Sequence, residues 1–182
     1  MLHLGVVHLR YILFSVLPVF AGSAAIALTP ETASYPDKNA RFTVQVPNGW
    51  QAARENGALK LIAEANAVVL FQFVQNIKND EAAKTALPQL AEMEGHQFDL
   101  EKMQISYHVR DADNGEFKGY MTDAKGTDKG GHETMWQSVI FAPREGEYYL
   151  MTALWTTDDT SKTASDRADI FKSLKATNMQ GN

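Results

Sequence analysis

His132-Glu133-Thr134-Met135-Trp136 opens like the H-E-x-x-H helix of zinc proteases, where two histidines four residues apart reach one metal. Trp136 stands where the second histidine is required, and the alternation around it reads as strand, so that chemistry is excluded. Ser106 and His108 lie two apart, on one face of a strand, with Arg110 next on that face. A hydroxyl beside an imidazole is the raw material of nucleophilic catalysis, and this pair is the one place a hydrolase can be sited. No G-x-S-x-G turn accompanies it, and a solvated strand face accounts for the same residues.

Metal chemistry fares no better. Asp111-Ala112-Asp113-Asn114-Gly115-Glu116 resembles the start of a calcium loop, but its glycine falls one place early and Thr122 occupies the position of the closing glutamate. His96, Asp99 and Glu101, with Asp158 and Asp159, are the remaining donors, and their spacing fits no ligand pattern. The sequence therefore predicts no catalytic residue, no cofactor and no metal. The aromatics come closest to a binding signal. Trp136, Tyr149 and Trp155 form the candidate binding surface, on the condition that all three face one side and part of the cluster lies open. Packed under a helix, the same rings with Tyr148 would simply be core.

These residues sit on elements that the pattern predicts. Arg41–Val46 alternates as a half-buried strand, Pro47-Asn48-Gly49 turns the chain before Trp50, and Ala58–Glu64 follows as a second strand. After a turn at Asn66, Ala67–Gln75 is apolar on both faces and belongs inside a sheet. Asn79-Asp80 can cap a helix reaching Glu94, with Pro88 kinking it or restarting it and Gly95 ending it. Gln104–Asp111 alternates with Ile105, Tyr107 and Val109 inward; Asn114-Gly115 is a hairpin signal; Phe117–Lys125 returns. Gly126–Gly131 is a loop. His132–Thr156 then reads as two long strands joined at Pro143-Arg144-Glu145-Gly146, the inner hairpin of the sheet. A last helix over 164–176 places Ala164, Ala168, Phe171 and Leu174 on one side, with Ile170 adjoining. The expected fold class is α+β, a mostly antiparallel central sheet of six to seven strands flanked by helices.

The chain has 182 residues, 45% of them apolar, and no cysteine, which removes disulfides and thiol chemistry. Arg10, an apolar run over 11–20 and Ala25-Ile26-Ala27 have the order of a secretory signal cut after Ala27, although 11–28 approaches the length of a retained anchor. Residues 28–40, with two prolines, read as a flexible linker, and 41–178 as one domain. The net charge of −5 becomes −6 once Arg10 is removed. Without a basic cluster, nucleic acid and anionic membrane surfaces are excluded as partners, and a membrane link would run only through an uncleaved signal.

Phe42-x-x-x-x-Pro47-x-Gly49-Trp50, two strands, a helix, an antiparallel meander and the closing Ile170-Phe171-Lys172-Ser173-Leu174-Lys175 together resemble the PsbP/Mog/DcrB-like superfamily, over about residues 40–178. The resemblance implies an αβα sandwich and mostly non-enzymatic roles, since its members include a photosystem accessory subunit, a nuclear Ran-binding protein and bacterial envelope proteins. It supplies no family-wide catalytic residue. The expectation is an exported, periplasmic or secreted, non-catalytic accessory domain that binds an envelope protein. The alternative is a carrier of a small apolar ligand or lipid in a pocket between sheet and helices, with a hydrolase behind both.

Overall fold

A computed structural model describes residues 31–63, 67–157 and 161–177. The signal read at 1–27, the Asn66 turn and the Asp158-Asp159 pair lie outside the described residues. The fold is α+β. An eight-stranded antiparallel sheet is built from β3 (Trp50–Glu55), β4 (Ala58–Ala63), β5 (Val68–Val74), β6 (Glu101–Ile105), β7 (Arg110–Asp113), β8 (Lys118–Thr127), β9 (Glu133–Arg144) and β10 (Glu147–Thr156). Its order is β3-β4-β5-β10-β9-β8-β6, with β7 beside β6 on the same flank of β8. The hairpin predicted as the inner one is indeed inner: β10 lies between β5 and β9. Burial of Tyr148 through Leu154 on both faces explains why that segment is apolar without alternation.

Each face of the sheet has its own cover. On one lies α1 (Asp80–Gln97), over β6, β8, β9 and β10. The other is closed by a small three-stranded sheet, β1 (Glu31–Tyr35), β2 (Phe42–Val46) and β11 (Lys175–Ala176), together with α2 (Ser161–Lys172). The larger core lies on this second side. Phe42, fully buried, centres it: its ring is 5.3–5.6 Å from those of Tyr35, Phe71, Phe141 and Tyr149. A residue of the Phe-x4-Pro-x-Gly-Trp pattern thus holds the two sheets together.

Several local expectations need correction. The linker over 28–40 gives way at Glu31–Tyr35 to a strand, because Ala33 and Tyr35 are buried and the whole segment pairs with β2. Trp50–Glu55, which the pattern assigns to no element, is an edge strand that buries only Trp50. Its partner signal was in the sequence: Asn56 and Gly57 have φ 51° and 81°, the two left-handed residues that a two-residue hairpin turn requires. Gln104–Asp111 is not one strand; β6 stops at Ile105, β7 starts at Arg110, and Tyr107 is exposed rather than inward. The last helix does not reach 176: α2 stops at Lys172 and Lys175–Ala176 pairs with β2, so Thr163 and Ile170 are buried on the helix, Leu174 is buried just beyond it, and Ala164 and Ala168 face out.

Helix α1 runs unbroken through Pro88 to Gln97. Asn79 caps it as expected, its side chain accepting from the Ala82 N–H. Gly95 does not end it. The N–H of Leu100 donates to Gly95 O and that of Asp99 to His96 O, with Asp99 at φ 56°: a Schellman close in which an aspartate takes the left-handed position.

Candidate functional site

The three aromatics proposed as one surface do not share a face. Trp136 pairs with Leu154 and points to the α1 side, whereas Tyr149 and Trp155 point to the other. A two-residue periodicity puts positions 149 and 155 together and 154 opposite to them. Trp136 is fully buried and its Nε1 donates to Ala91 O on α1 at 3.0 Å, so it anchors the helix. Tyr149 is core, ringed by Tyr35, Phe42, Phe73 and Phe141. Only Trp155 is partly open, and the Arg167 guanidinium of α2 lies over its ring at 4.0 Å.

The catalytic and metal candidates also separate. Ser106 Oγ accepts from the backbone N–H of His108 at 3.2 Å, a local turn bond in the gap between β6 and β7. His132 Nδ1 lies 3.0 Å from Asp128 Oδ2. The Asp128 carboxyl is held below its ordinary range, first by the backbone N–H of His132 and then by its ring. Asp99 pairs with Lys129 at 2.8 Å. Asp113 Oδ1 accepts from Gly115 N–H, which is turn chemistry and not a calcium loop. Among the described residues, no three His or carboxylate side chains gather as a metal set.

What the sequence did not reveal is the shape of the α1 side. The helix covers the β6–β8–β9–β10 half of the sheet, reaches β5 through the Gln72–Glu94 bond and Val74, and leaves β3 and β4 bare on this side. The bare floor carries Ile62, 37% exposed, with Lys60, Ala58 and Val68 half-buried around it. The C-terminal end of α1 makes the wall. Phe98 lines two hollows there. One, of about 240 Å³, is bounded by Lys60, Leu70, Gln72 and Gln97. The other, of about 390 Å³, is bounded by Leu100, His132, Thr134, Leu154 and Thr156. Behind the wall, Glu94 is only 4% exposed. Gln72 Nε2 donates to its Oε1, and Oε2 has no hydrogen-bond partner. Burial pushes the Glu94 carboxyl above its ordinary value, against the opposing pull of the Gln72 bond.

A polar row crosses the sheet beneath the helix. Thr122, Ser138 and Thr152 are in register and buried, with Ser138 Oγ 3.4 Å from Thr152 Oγ1. It divides the apolar contacts of α1 into one cluster around Leu87, Ile140 and Leu150 and another around Trp136 and Leu154. The floor and wall offer shape, apolar area and a few polar groups, the ingredients of recognition rather than of bond-making.

The architecture is the αβα sandwich shared by PsbP and Mog1. The chain is similar to cyanobacterial PsbP from Synechocystis, with 11% identity and a TM-score of 0.56 over 86% of this chain and 98% of that one. It is similar to LpqN of Mycobacterium tuberculosis, a protein involved in cell envelope biogenesis, at 14% identity and 0.55 over 82% and 91%. The Saccharomyces cerevisiae Ran-binding protein Mog1p matches at 10% and 0.50 over 82% and 96%. A longer protein from Bacteroides thetaiotaomicron matches at 10% and 0.55, with 85% of this chain covering 51% of that one. No family model and no curated protein matches the chain. At such identities the likeness is one of fold.

Proposed function

We propose that this chain is an exported, non-catalytic accessory protein of the cell envelope, and that it works by holding another envelope protein on the bare half of its sheet. The observation that carries the reading is the uncovered face of β3 and β4, where Ile62 stands open on the strand whose Ala58 and Lys60 line the hollow walled by Phe98. An antiparallel sheet tolerates a wet face, but that face is then normally polar; Ile62 and half-buried Val68 are an apolar patch among Glu55, Lys60 and Gln72, and an apolar patch with a polar rim is a docking shape. The export-type N-terminus and the envelope role of a protein with the same fold support the compartment. Trp155, under Arg167, is not part of this face.

The hollows beside Phe98 support the second reading, a carrier of a small apolar ligand, because their volumes of about 240 and 390 Å³ approach those of small-molecule sites. One experiment separates the two. A photo-crosslinking residue placed at Ile62 should give one defined protein adduct in intact cells, and the same residue at exposed Ala164 should give none. Absence of a protein adduct at Ile62, with lipid retained in native mass spectra of the purified chain, would transfer the assignment to the carrier. Fractionation of the same cells should place a processed chain in the periplasm.

A further inference from the structure

Side-chain amides gather at the smaller hollow beside Phe98. Gln72 comes from β5, Gln97 from the last turn of α1, and Asn56 from the turn between β3 and β4. Lys60 of β4 stands opposite Leu70 of β5, and the two-residue period puts Ala58 and Gln72 on the same face as that pair. Charge at the rim is balanced, because Lys60 Nζ lies 3.3 Å from Glu55 Oε2. The hollow therefore surrounds the apolar surface of Phe98, Leu70 and Ala58 with hydrogen-bonding groups and a self-neutralised ion pair.

Behind Gln72 stands Glu94, one helical turn before Phe98. Gln72 Nε2 donates to Glu94 Oε1, and this fixes the amide: its own Oε1 and its second N–H are left for the hollow that Gln72 lines. Glu94 Oε2 is buried and has no hydrogen-bond partner among the described residues. A buried oxygen in that state is costly to keep, and it calls for a polar group arriving past Gln72.

We propose that this hollow is a binding site for one uncharged sugar ring, held by Gln72 and Gln97, with its apolar face on Phe98 and a hydroxyl directed to Glu94. Three other ligand classes fit worse. An acyl chain covers Phe98 and Leu70 but leaves the amides and Glu94 Oε2 unanswered. A cation or an anion meets a Lys60–Glu55 pair that already neutralises itself. A sugar hydroxyl is donor and acceptor at once, so it pairs with either end of an amide, and with Glu94 Oε2 whether or not that carboxyl holds a proton. The C–H face of a pyranose is apolar and turns its hydrogens to the electron-rich face of an aromatic ring. A volume of about 240 Å³ lies below the usual range for drug-sized ligands and suits a single ring. The site goes beyond the docking reading, since it takes a different class of ligand in a hollow that Ile62 does not line.

The test is a nuclear magnetic resonance titration of the purified chain with glucose, galactose, mannose and N-acetylglucosamine at millimolar concentrations. At least one of them should shift the side-chain amide signals of Gln72 and Gln97 along a saturating curve. Phe98→Leu keeps the apolar bulk and removes the ring, and should weaken that sugar at least about tenfold. Gln72→Met keeps the volume, removes the amide and should do the same. If Gln72→Met does not fold, Gln97→Ala, at an exposed position, replaces it with the same expected loss. No partner protein is present in the titration, so its outcome and that of the Ile62 crosslink are read apart. No saturable shift with any of the four sugars, shifts that survive both Phe98→Leu and Gln97→Ala, or tighter binding of glucuronate than of glucose would overturn the proposal. A response to octanoate alone would also overturn it, and would give the hollow to the apolar ligand of the second reading.

Discussion

Gly95 and Trp136 occupy each other's space: a Cβ on Gly95 would stand 2.9 Å from Trp136 Cζ2. The indole cannot swing aside without giving up its bond to Ala91 O, and the glycine is therefore a seat for the ring inside the helix. This inverts the usual arithmetic of helical glycine. Elsewhere an alanine there would gain about 0.5–1 kcal/mol; here overpacking costs about 1–3 kcal/mol. Gly95→Ala should lower stability by about 1–2 kcal/mol in urea unfolding, and a gain would show that the ring and Met103 give way freely.

Glu94 gives the fold a pH dependence of known sign. Its folded-state carboxyl lies above 4.5 because it is buried. Between that ordinary value and the raised one, the folded chain keeps a proton that the unfolded chain has lost. The contribution is complete below about 4.5 and falls away as pH rises through the folded value, then levels. Glu94→Gln removes it. The stability of the variant relative to the parent should therefore improve as pH rises from about 4.5 and level off above the folded value, measured by urea midpoints at matched ionic strength. A difference that stays constant with pH would mean that Glu94 titrates normally.

Asn114 ties the β7–β8 loop to the end of α2. Its Nδ2 donates to Phe171 O at 2.9 Å and Leu174 O at 3.2 Å, while its Oδ1 accepts from the N–H groups of Glu116 and Phe117. Asn114→Asp keeps the acceptor and removes both donors. The expected loss is about 1–3 kcal/mol, since two carbonyls at the helix end lose their partner. Hydrogen exchange of the 170–174 amides should quicken before that of β9 and β10.

These cases also show what sequence can and cannot carry. The inner hairpin was legible because β9 and β10 are buried on both faces, and burial of that kind leaves a run of apolar residues. Asn114 was read as a turn residue from its neighbour Gly115; its bond to α2 spans 57 positions and leaves no local trace. The edge strand β3 buries one side chain in six, so hydrophobic pattern says nothing of it, and only Asn56-Gly57 betrays it. Gly95 looked like a helix end because a glycine serves close packing and left-handed turns alike. The candidate site failed for a related reason. Whether Trp136 shares a face with Tyr149 depends on the register across the Glu147/Tyr149 irregularity, and a shift of one position reverses every side chain.

Ile62 and Phe73 separate binding from stability on the two sides of one sheet. Both are unusually open, at 37% and 49%. Phe73, however, packs its ring 5.4 Å from Tyr149 above the main core, whereas Ile62 lies on the bare floor. Phe73→Asp should cost about 1–2 kcal/mol by removing an aromatic contact and its buried area, yet leave a photo-adduct formed from Ala58 intact. Ile62→Asp should shift stability by no more than about 0.5 kcal/mol, as an open surface position does, and should abolish that adduct. Urea unfolding and in-cell crosslinking of the two variants check both halves. Loss of the adduct in Phe73→Asp with retention in Ile62→Asp would place docking on the opposite side of the sheet.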